Sequence, residues 1–293
     1  MSFGRYHTGI GYYNTAFHSG SWLQTTADRP LIMEFADDGG VLPTQVGLSF
    51  SGSIPSGRLD LNYIAEYGSS DTVRPELTNH ALEDENNGNH FNVGLFARPE
   101  SIPSLRIGGS LYHDRISDFT RGPNVRLGQT IVNGHLVYIR YGIEFLNEGF
   151  LIRHTYEQNA NVYNMAAFYS QISKTFRRIR PFVRYQYINA NQGSLLGDVA
   201  FRQGPSFSAR YDFNDVTAFK SQLDHTLRKG LPDRTSMACT CSWHSRFESD
   251  FMQTRLIVVC AAIWIATLVS SSYAVAQTGL WRSWLTRKTP SIM

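Results

Sequence analysis

Apolar and polar residues alternate along most of the first 235 residues of the chain. In Thr44–Ile54, the side chains of Val46, Leu48 and Phe50 fall on one side, while mostly glycine and serine fall on the other. Because successive side chains of a β-strand point to opposite faces, this pattern predicts a strand with one apolar face.

The same pattern recurs down the chain. Arg58–Tyr67 follows the tight-turn signal Pro55-Ser56-Gly57, so it forms a predicted hairpin with the preceding strand. Short turns then alternate with longer polar loops such as Gly68–Asn89, and the alternation is blurred only in Gln129–Arg140 and Ile143–His154. The predicted strands are Thr44–Ile54, Arg58–Tyr67, His90–Arg98, Leu105–Tyr112, Gln129–Arg140, Ile143–His154, Val162–Thr175, Arg180–Ile188, Ser206–Phe213 and Val216–Thr226.

Both a soluble β-sandwich and a transmembrane β-barrel produce alternating strands. A barrel in lipid needs an apolar outer face, and it pairs all its backbone groups by closing. Strands of about ten residues, aromatic residues near strand ends and charges mostly opposite the aliphatic residues favour the barrel. The sequence therefore predicts an all-β fold, an antiparallel transmembrane β-barrel that is incomplete and carries a non-barrel C-terminal tail.

Composition narrows the classes of function. Five basic and two acidic residues beyond position 235 account for the formal net charge of +3, so residues 1–235 are balanced and offer no basic patch for nucleic acid. All three cysteines lie in that tail. Cys239, Cys241 and His244 have a spacing seen in metal sites, but they lack a second pair of ligands. For the run Asp37–Gly40, we prefer a plain turn over the alternative of a Ca²⁺ site. We expect no enzyme, no cofactor and no metal.

The charged residues on the polar faces would line the lumen of such a barrel. Opposed basic and acidic rows create a transverse field, which selects solutes by size and charge, and the basic excess favours anions. The alternative is that these residues pair across a filled lumen as structural ion pairs. The predicted pore-lining residues are Arg58, Asp60, Glu66, Arg98, Arg106, Arg184, Arg210, Asp212 and Lys220.

One segment of the body, Ala16–Phe35, lacks the alternation and includes Trp22 and Arg29. It is the only part of the body where a helix is expected. We predict either that it folds inward as a plug or constriction loop, or that it stays on the surface.

Three stretches resemble bacterial outer-membrane porins, loosely those of the phosphate-selective type: GRYHTGIGYYNTAFHSGSWLQTTADRPLIMEF, GGVLPTQVGLSFSG and ARYDFNDVTAFKSQLDHTLRKGLPD. The similarity runs from Phe3 to Asp233, on diffuse motifs. It implies a single-chain, even-stranded antiparallel barrel with short periplasmic turns, through which small solutes diffuse. About ten to twelve strands are recognisable, whereas an open porin has about sixteen, so strands are expected to be missing.

The C-terminal part departs from that family. Its members end in an alternating strand with a terminal Phe, whereas Ser236–Glu248 does not alternate. A back-translation of this segment, read in a shifted frame, gives a strand-like sequence and a stop. We therefore expect a frame slip near Arg234–Met237. Met252–Gln277 then has the layout of a neighbouring gene's signal peptide, with a basic start, an apolar run and an Ala-x-Ala ending.

A rival interpretation makes Leu256–Val269 a membrane anchor. Its fourteen residues are too few for a hydrocarbon core of about 30 Å, which needs about twenty. The expected domains are a porin-like barrel at 1–235, an out-of-frame segment at 236–251 and a signal-peptide-like segment with its tail at 252–293. No signal peptide precedes Met1-Ser2-Phe3-Gly4, so the start is also expected to be truncated.

The expected function is passive diffusion of small hydrophilic, preferentially anionic, solutes through an outer-membrane porin. The location is the bacterial outer membrane for the intact parent protein, and the partners are these solutes, outer-membrane lipid and a homotrimer. The alternative is a non-conducting structural or ligand-binding barrel that acts through its loops.

Overall fold

The structure is a computed structural model that describes residues 1–17, 23–34, 44–69, 72–73, 88–118, 125–191, 193–195, 199–229 and 235–245. The helices are α1 (Gly11–Phe17) and α2 (Leu31–Glu34), and a 3₁₀ turn spans Gly57–Leu59. The strands are β1 (Ser2–His7), β2 (Thr44–Ile54), β3 (Leu61–Ser69), β4 (Thr72–Val73), β5 (Asn89–Ala97), β6 (Leu105–Asp118), β7 (Arg126–Arg140), β8 (Ile143–Tyr156), β9 (Val162–Lys174), β10 (Ile179–Asn189), β11 (Phe201–Asn214), β12 (Thr217–Lys229) and β13 (Thr235–Ser245).

All strands except β4 follow one another in a single antiparallel sheet, in the order β1-β2-β3-β5-β6-β7-β8-β9-β10-β11-β12-β13. The short β4 lies off this path and pairs in parallel with β6. The path is open, with β1 and β13 as its two ends. The tight connections after β2, β5, β7, β9 and β11 all lie at one edge of the sheet, which we call the short-turn edge.

The two faces of the sheet differ in polarity. In β3, Tyr67 is 54% exposed, while the neighbouring Glu66 is 5% exposed and points to the other side. We call the exposed, apolar side the outer face and the buried side the inner face. Exposed on the outer face are, among others, Phe50, Tyr63, Tyr67, Phe91, Val93, Leu95, Leu111, Val132, Leu151, Phe168, Ile172, Val183, Phe207 and Leu223. Buried on the inner face are the polar residues Glu66, His90, Asn92, Asp114, Gln129, Asn133, His135, Glu144, Glu148, His154, Gln171, Arg184, Gln186, Ser206, Lys220 and Gln222.

The predicted all-β class and the antiparallel order of the strands are confirmed. The predicted strand Thr44–Ile54 coincides with β2. The strand predicted from Arg58 begins only at Leu61, because the 3₁₀ turn occupies Gly57–Leu59 and Asp60 adopts a left-handed conformation with φ of 43°. The short strands β1 and β4 were not predicted.

The sheet extends beyond the expected boundary at residue 235. Strand β13 joins the edge of β12 in a segment for which no strand was expected. Consecutive side chains there, Met237 to Cys239, are all exposed, so backbone pairing rather than an alternating pattern forms this strand. The frame-slip hypothesis concerns the gene and stays a prediction.

The chain divides into two compact units, Met1–His244 and Ser245–Met293. Of the second unit, only Ser245 lies in the described part of the chain. Met252–Gln277, the alternative anchor Leu256–Val269 and the Asp37–Gly40 run all lie outside the described residues. Among the residues that the structure describes, no helix is both long and apolar enough to cross a bilayer.

Candidate functional site: an inner segment between two charged walls

The connection from β1 to β2 runs along the inner face of the sheet. We call its described residues, 8–17 and 23–34, the inner segment. Gly9 binds a side chain of β3, while the carbonyl of Gln24 binds a side chain of β11. Since β3 and β11 lie far apart along the sheet, the sheet curves around the segment. The inward option predicted for Ala16–Phe35 is therefore confirmed for its described residues, which exclude Trp22 and Phe35.

Apolar packing fixes one side of the inner segment. The buried side chains of Ile10, Tyr13 and Phe17, from and next to α1, contact the inner faces of the central strands, as do those of Leu31 to Met33 in α2. The residues that receive them include Ile131, Val137, Leu146, Phe150, Ile152, Met165 and Ala167. The inner face of β7 to β9 is therefore partly apolar, which explains why the alternation is blurred in β7 and β8.

Carboxylates on the inner face bind the backbone amides where the segment enters. Glu66 of β3 accepts hydrogen bonds from Gly9 N at 3.2 and 2.9 Å, one to each oxygen, and from Asn92 Nδ2 at 2.7 Å. Glu148 of β8 accepts from Tyr12 N at 2.5 Å and Tyr13 N at 3.0 Å. Buried N–H groups without a partner are costly, and an ionised acceptor makes a stronger bond than a neutral one.

The position of Glu148 also explains why residue 11 is a glycine. The amide of Tyr12 can reach the carboxylate only if the chain passes closely over Glu148, and Gly11 does so with φ of +74°. A Cβ on Gly11 would collide with Glu148 Oε1, and its backbone conformation is one that other residues rarely adopt. The hydroxyl of Tyr169 completes the shell of Glu148 at 2.7 Å. We call Glu66, Glu144 and Glu148 the carboxylate wall.

Basic side chains on the next strands bind the carbonyls of the segment instead. Arg210 Nη1 of β11 donates to Gln24 O at 2.9 Å and to Leu23 O at 3.3 Å. Arg184 Nη1 of β10 donates to Asp28 O at 3.2 Å. Lys220, which is fully buried, faces Arg210 across the β11–β12 pair. We call Arg180, Arg184, Arg210 and Lys220 the basic wall.

The two walls meet at Thr25. Its hydroxyl donates to Glu144 Oε1 at 3.0 Å and accepts from Arg180 Nη1 at 3.3 Å. Two glutamines extend the contact, because Gln186 Oε1 accepts from Leu31 N at 3.0 Å, and Gln222 Oε1 accepts from Ala27 N and Asp28 N at 3.2 Å each. The irregular backbone of the segment is thus satisfied by side chains of the sheet.

The nine predicted pore-lining residues divide into two groups. Glu66, Arg106, Arg184, Arg210, Asp212 and Lys220 share the parity of the inner face. Arg58 and Arg98 are instead exposed next to the tight turns at the short-turn edge, and Asp60 lies in the first of these turns. In the inner group, Arg210 Nε binds Asp212 Oδ1 at 2.6 Å, while Arg184 and Arg210 both contact the inner segment.

Sequence reasoning missed Glu144, Glu148, His135 and Arg180, which contact or adjoin the segment. The first three lie on the strands with blurred alternation, where apolar residues on both faces hide the period of two. A signal was nevertheless present, because Glu144, Glu148 and His154 share one parity in β8.

A cavity of about 390 Å³ remains between α1 and the strands β2, β3, β5, β6 and β7, towards the short-turn edge. It contains one cationic side chain, that of Arg106, whose guanidinium carbon lies 3.7 Å from the centre of the Phe96 ring and 5.1 Å from that of Tyr12. The rest of its wall consists of glycines, of the larger residues Tyr63, Ile64, Leu95 and Phe96, and of polar side chains. The polar side chains include Thr15, Ser51, Ser53, Asn62, Ser110 and His135.

The chain matches no protein-family model and has no significant match among curated proteins. The resemblance to porins therefore stays a prediction. Within the described residues, no group of three histidine, cysteine, aspartate or glutamate side chains is placed to hold a metal ion.

Proposed function

We propose that this chain is an outer-membrane β-barrel of a Gram-negative bacterium, through which small hydrophilic solutes diffuse, with anions preferred. The observation that carries the proposal is the polarity of the sheet, whose exposed face is apolar and whose enclosed face is polar and charged. Water favours the opposite arrangement, in which the polar face is exposed. Lipid favours the arrangement found here.

The inner segment supports a constricted pathway rather than a wide one. It fills the side of the interior next to β7 to β9, and the cavity near Arg106 and the charged basic wall lie on other sides of it. Irregular backbone is tolerated at membrane depth only where protein buries it or where it lines a cavity. The hydrogen bonds from the two walls meet that condition.

Anion preference follows from which charges stay available. The carboxylates of the carboxylate wall accept hydrogen bonds from N–H and hydroxyl groups of the protein, which partly offset their negative charge. Arg106 forms no salt bridge with a described residue, its buried Nε has no hydrogen-bond partner, and its side chain lines the cavity. A cation that is not neutralised locally attracts anions into a narrow pathway.

Conductance across a planar bilayer tests the proposal. Refolded protein should give stepwise ohmic currents, and the reversal potential in a salt gradient should have the sign of anion selectivity. Protein that enters the bilayer correctly but gives no current would contradict conduction, and cation selectivity would contradict the assigned role of the basic residues.

A specific observation favours a second function. The inner segment is held by hydrogen bonds from β3, β8, β10, β11 and β12 together, an arrangement that would also suit a permanently closed barrel. Such a barrel would act as a structural or ligand-binding protein through its loops. Silence in the bilayer experiment, together with correct insertion, would select this alternative.

A further inference from the structure

The cavity beside α1 has the features of a binding site, and nothing in diffusion through a barrel requires them. Its volume of about 390 Å³ lies within the range of small-molecule pockets, on the order of 300 to 1,000 Å³. We propose that it binds a small hydroxylated carboxylate, of the sugar-acid type, with the carboxylate on Arg106 and the hydroxyls on the polar wall.

Arg106 supplies the carboxylate recognition. Its guanidinium carbon lies close to the rings of both Phe96 and Tyr12, and these contacts hold the group in place without neutralising it. Its Nε is buried and has no hydrogen-bond partner. Arginine presents a planar fork that matches a carboxylate, so a fixed guanidinium with unused donors at a cavity wall is suited to an organic acid. The guanidinium carbon of Arg98 lies 5.2 Å from the centre of the same Phe96 ring, and this guanidinium adds positive charge at this end.

His135 supplies the recognition of a hydroxyl. The residue lines the cavity and is 8% exposed, and its Nε2 is buried without a hydrogen-bond partner in the protein. Asn133 donates its Nδ2 to Gly149 O at 3.2 Å, which turns its Oδ1 towards His135 Nδ1 at 3.5 Å. Nδ1 is therefore the protonated nitrogen of the neutral ring, and Nε2 is an acceptor. An acceptor repels a carboxylate and binds a hydroxyl.

The remaining wall fits several hydroxyls. Ser110 is 8% exposed, and its Oγ likewise lacks a partner. Ser51, Ser53 and Asn62 add donors and acceptors from the neighbouring strands. A purely aliphatic acid would leave these groups unpaired, and an uncharged sugar would leave Arg106 unpaired, so both should bind more weakly than a molecule that satisfies both. The site does not depend on whether the barrel conducts.

Calorimetric titration of the full-length protein in detergent tests the site, with gluconate as the probe and with glucose, hexanoate and inorganic phosphate for comparison. We expect saturable binding of one gluconate per chain and binding of the other three that is weaker by roughly tenfold or more. Phosphate binding as tight as gluconate binding would replace the assignment with that of a general anion site. Absence of gluconate binding at millimolar concentrations would overturn it.

Two variants locate the site. Arg106→Gln should weaken gluconate binding by about tenfold or more, while Arg153→Gln, which removes an exposed arginine of β8, should leave it unchanged. Ser110→Ala should weaken binding of gluconate but not that of hexanoate. Equal affinity of wild-type protein and the Arg106→Gln variant, with both folded by circular dichroism, would contradict the proposal.

Discussion

The outer and inner faces of the same strands obey different rules of packing. On the outer face, side chains are large, apolar and exposed, and their neighbours on the same face are also apolar. On the inner face, many buried polar groups are matched with a group of the inner segment or of an adjacent strand, as Glu148 is with Tyr12, Tyr13 and Tyr169, and some of those that are not, such as His135 Nε2, lie around the cavity. The comparison shows that the alternation of apolar residues is enough to specify the outer face, whereas the inner face depends on which hydrogen-bond partner each polar side chain meets.

The largest expected difference between the faces comes from a pair of phenylalanines. Phe150, on the inner face, is 2% exposed and packs in the apolar cluster with the inner segment, so Phe150→Ala should lower the free energy of unfolding by about 3 to 5 kcal/mol. Phe168, on the outer face of the next strand, is 42% exposed, and Phe168→Ala should cost less because the surroundings fill the space. Urea unfolding in lipid vesicles measures both, and equal losses would break the comparison.

A charge placed on the outer face distinguishes lipid from water. Val132 lies midway along β7 and is 46% exposed, so Val132→Arg should destabilise the protein in vesicles by about 2 to 4 kcal/mol. Val162 is 39% exposed at the beginning of β9, and Val162→Arg should cost at most about 1 kcal/mol because it lies near the interface. If both substitutions changed stability by less than about 0.5 kcal/mol, the outer face would be an ordinary water-exposed surface.

Removing a charge from the carboxylate wall should release part of the inner segment. In Glu148→Gln, the bonds from Tyr12 N and Tyr13 N lose their ionised acceptor, which should cost about 1.5 to 3 kcal/mol of stability. Conductance should rise, since a loosened α1 widens the pathway. Glu100→Gln, at an exposed turn, is the control and should change neither property. A variant with lower stability but unchanged current would separate the segment from the conduction pathway.

The smallest effect is expected at the edge of the sheet opposite the short-turn edge, where Glu157 follows the end of β8. The hydrogen bond from Arg115 holds the pKa of the Glu157 carboxyl below its usual value. Arg115 Nε donates to Glu157 Oε1 at 2.6 Å, and Arg115 Nη2 donates to Glu157 Oε2 at 2.9 Å. A lowered pKa means that this stabilisation is present above the unfolded pKa, near 4.3, and is lost as the pH falls through the lower folded value. Because both side chains are exposed, the pair should contribute only about 0.2 to 1 kcal/mol. Unfolding of Glu157→Gln at pH 7 and pH 3 measures it, and an effect that grows as the pH falls would reverse the assigned sign.

Sequence pattern predicted the sheet better than it predicted the site. Strands such as β2 and β10 alternate cleanly because their two faces meet different surroundings, and their bounds were predicted to within one residue. In β7 and β8, Ile131, Phe150 and Ile152 face inward and pack in one apolar cluster with the inner segment, so both faces are apolar and the period disappears. Knowledge of that contact requires the path of the inner segment, which no local pattern encodes.

The residues of the candidate site were likewise predicted only where they lie in strands that alternate clearly. Arg184, Arg210 and Lys220 were predicted because they occupy polar positions of such strands. Their partners are the backbone carbonyls of Leu23, Gln24 and Asp28 for the two arginines, and backbone groups carry no sequence signal. Arg58 and Arg98 were assigned to the lumen by extending the alternation past the ends of β3 and β5, where the chain turns.

Fluorescence quenching by nitroxide-labelled lipid, scanned along β7, tests most directly whether the outer face meets lipid. Single cysteines between Gln129 and Leu136 would carry the fluorophore, in a background where Cys239, Cys241 and Cys260 are serine. The account predicts quenching at Thr130, Val132, Gly134 and Leu136 and none at the intervening positions, which face inward. Quenching that is absent throughout, or equal at all positions, would contradict it.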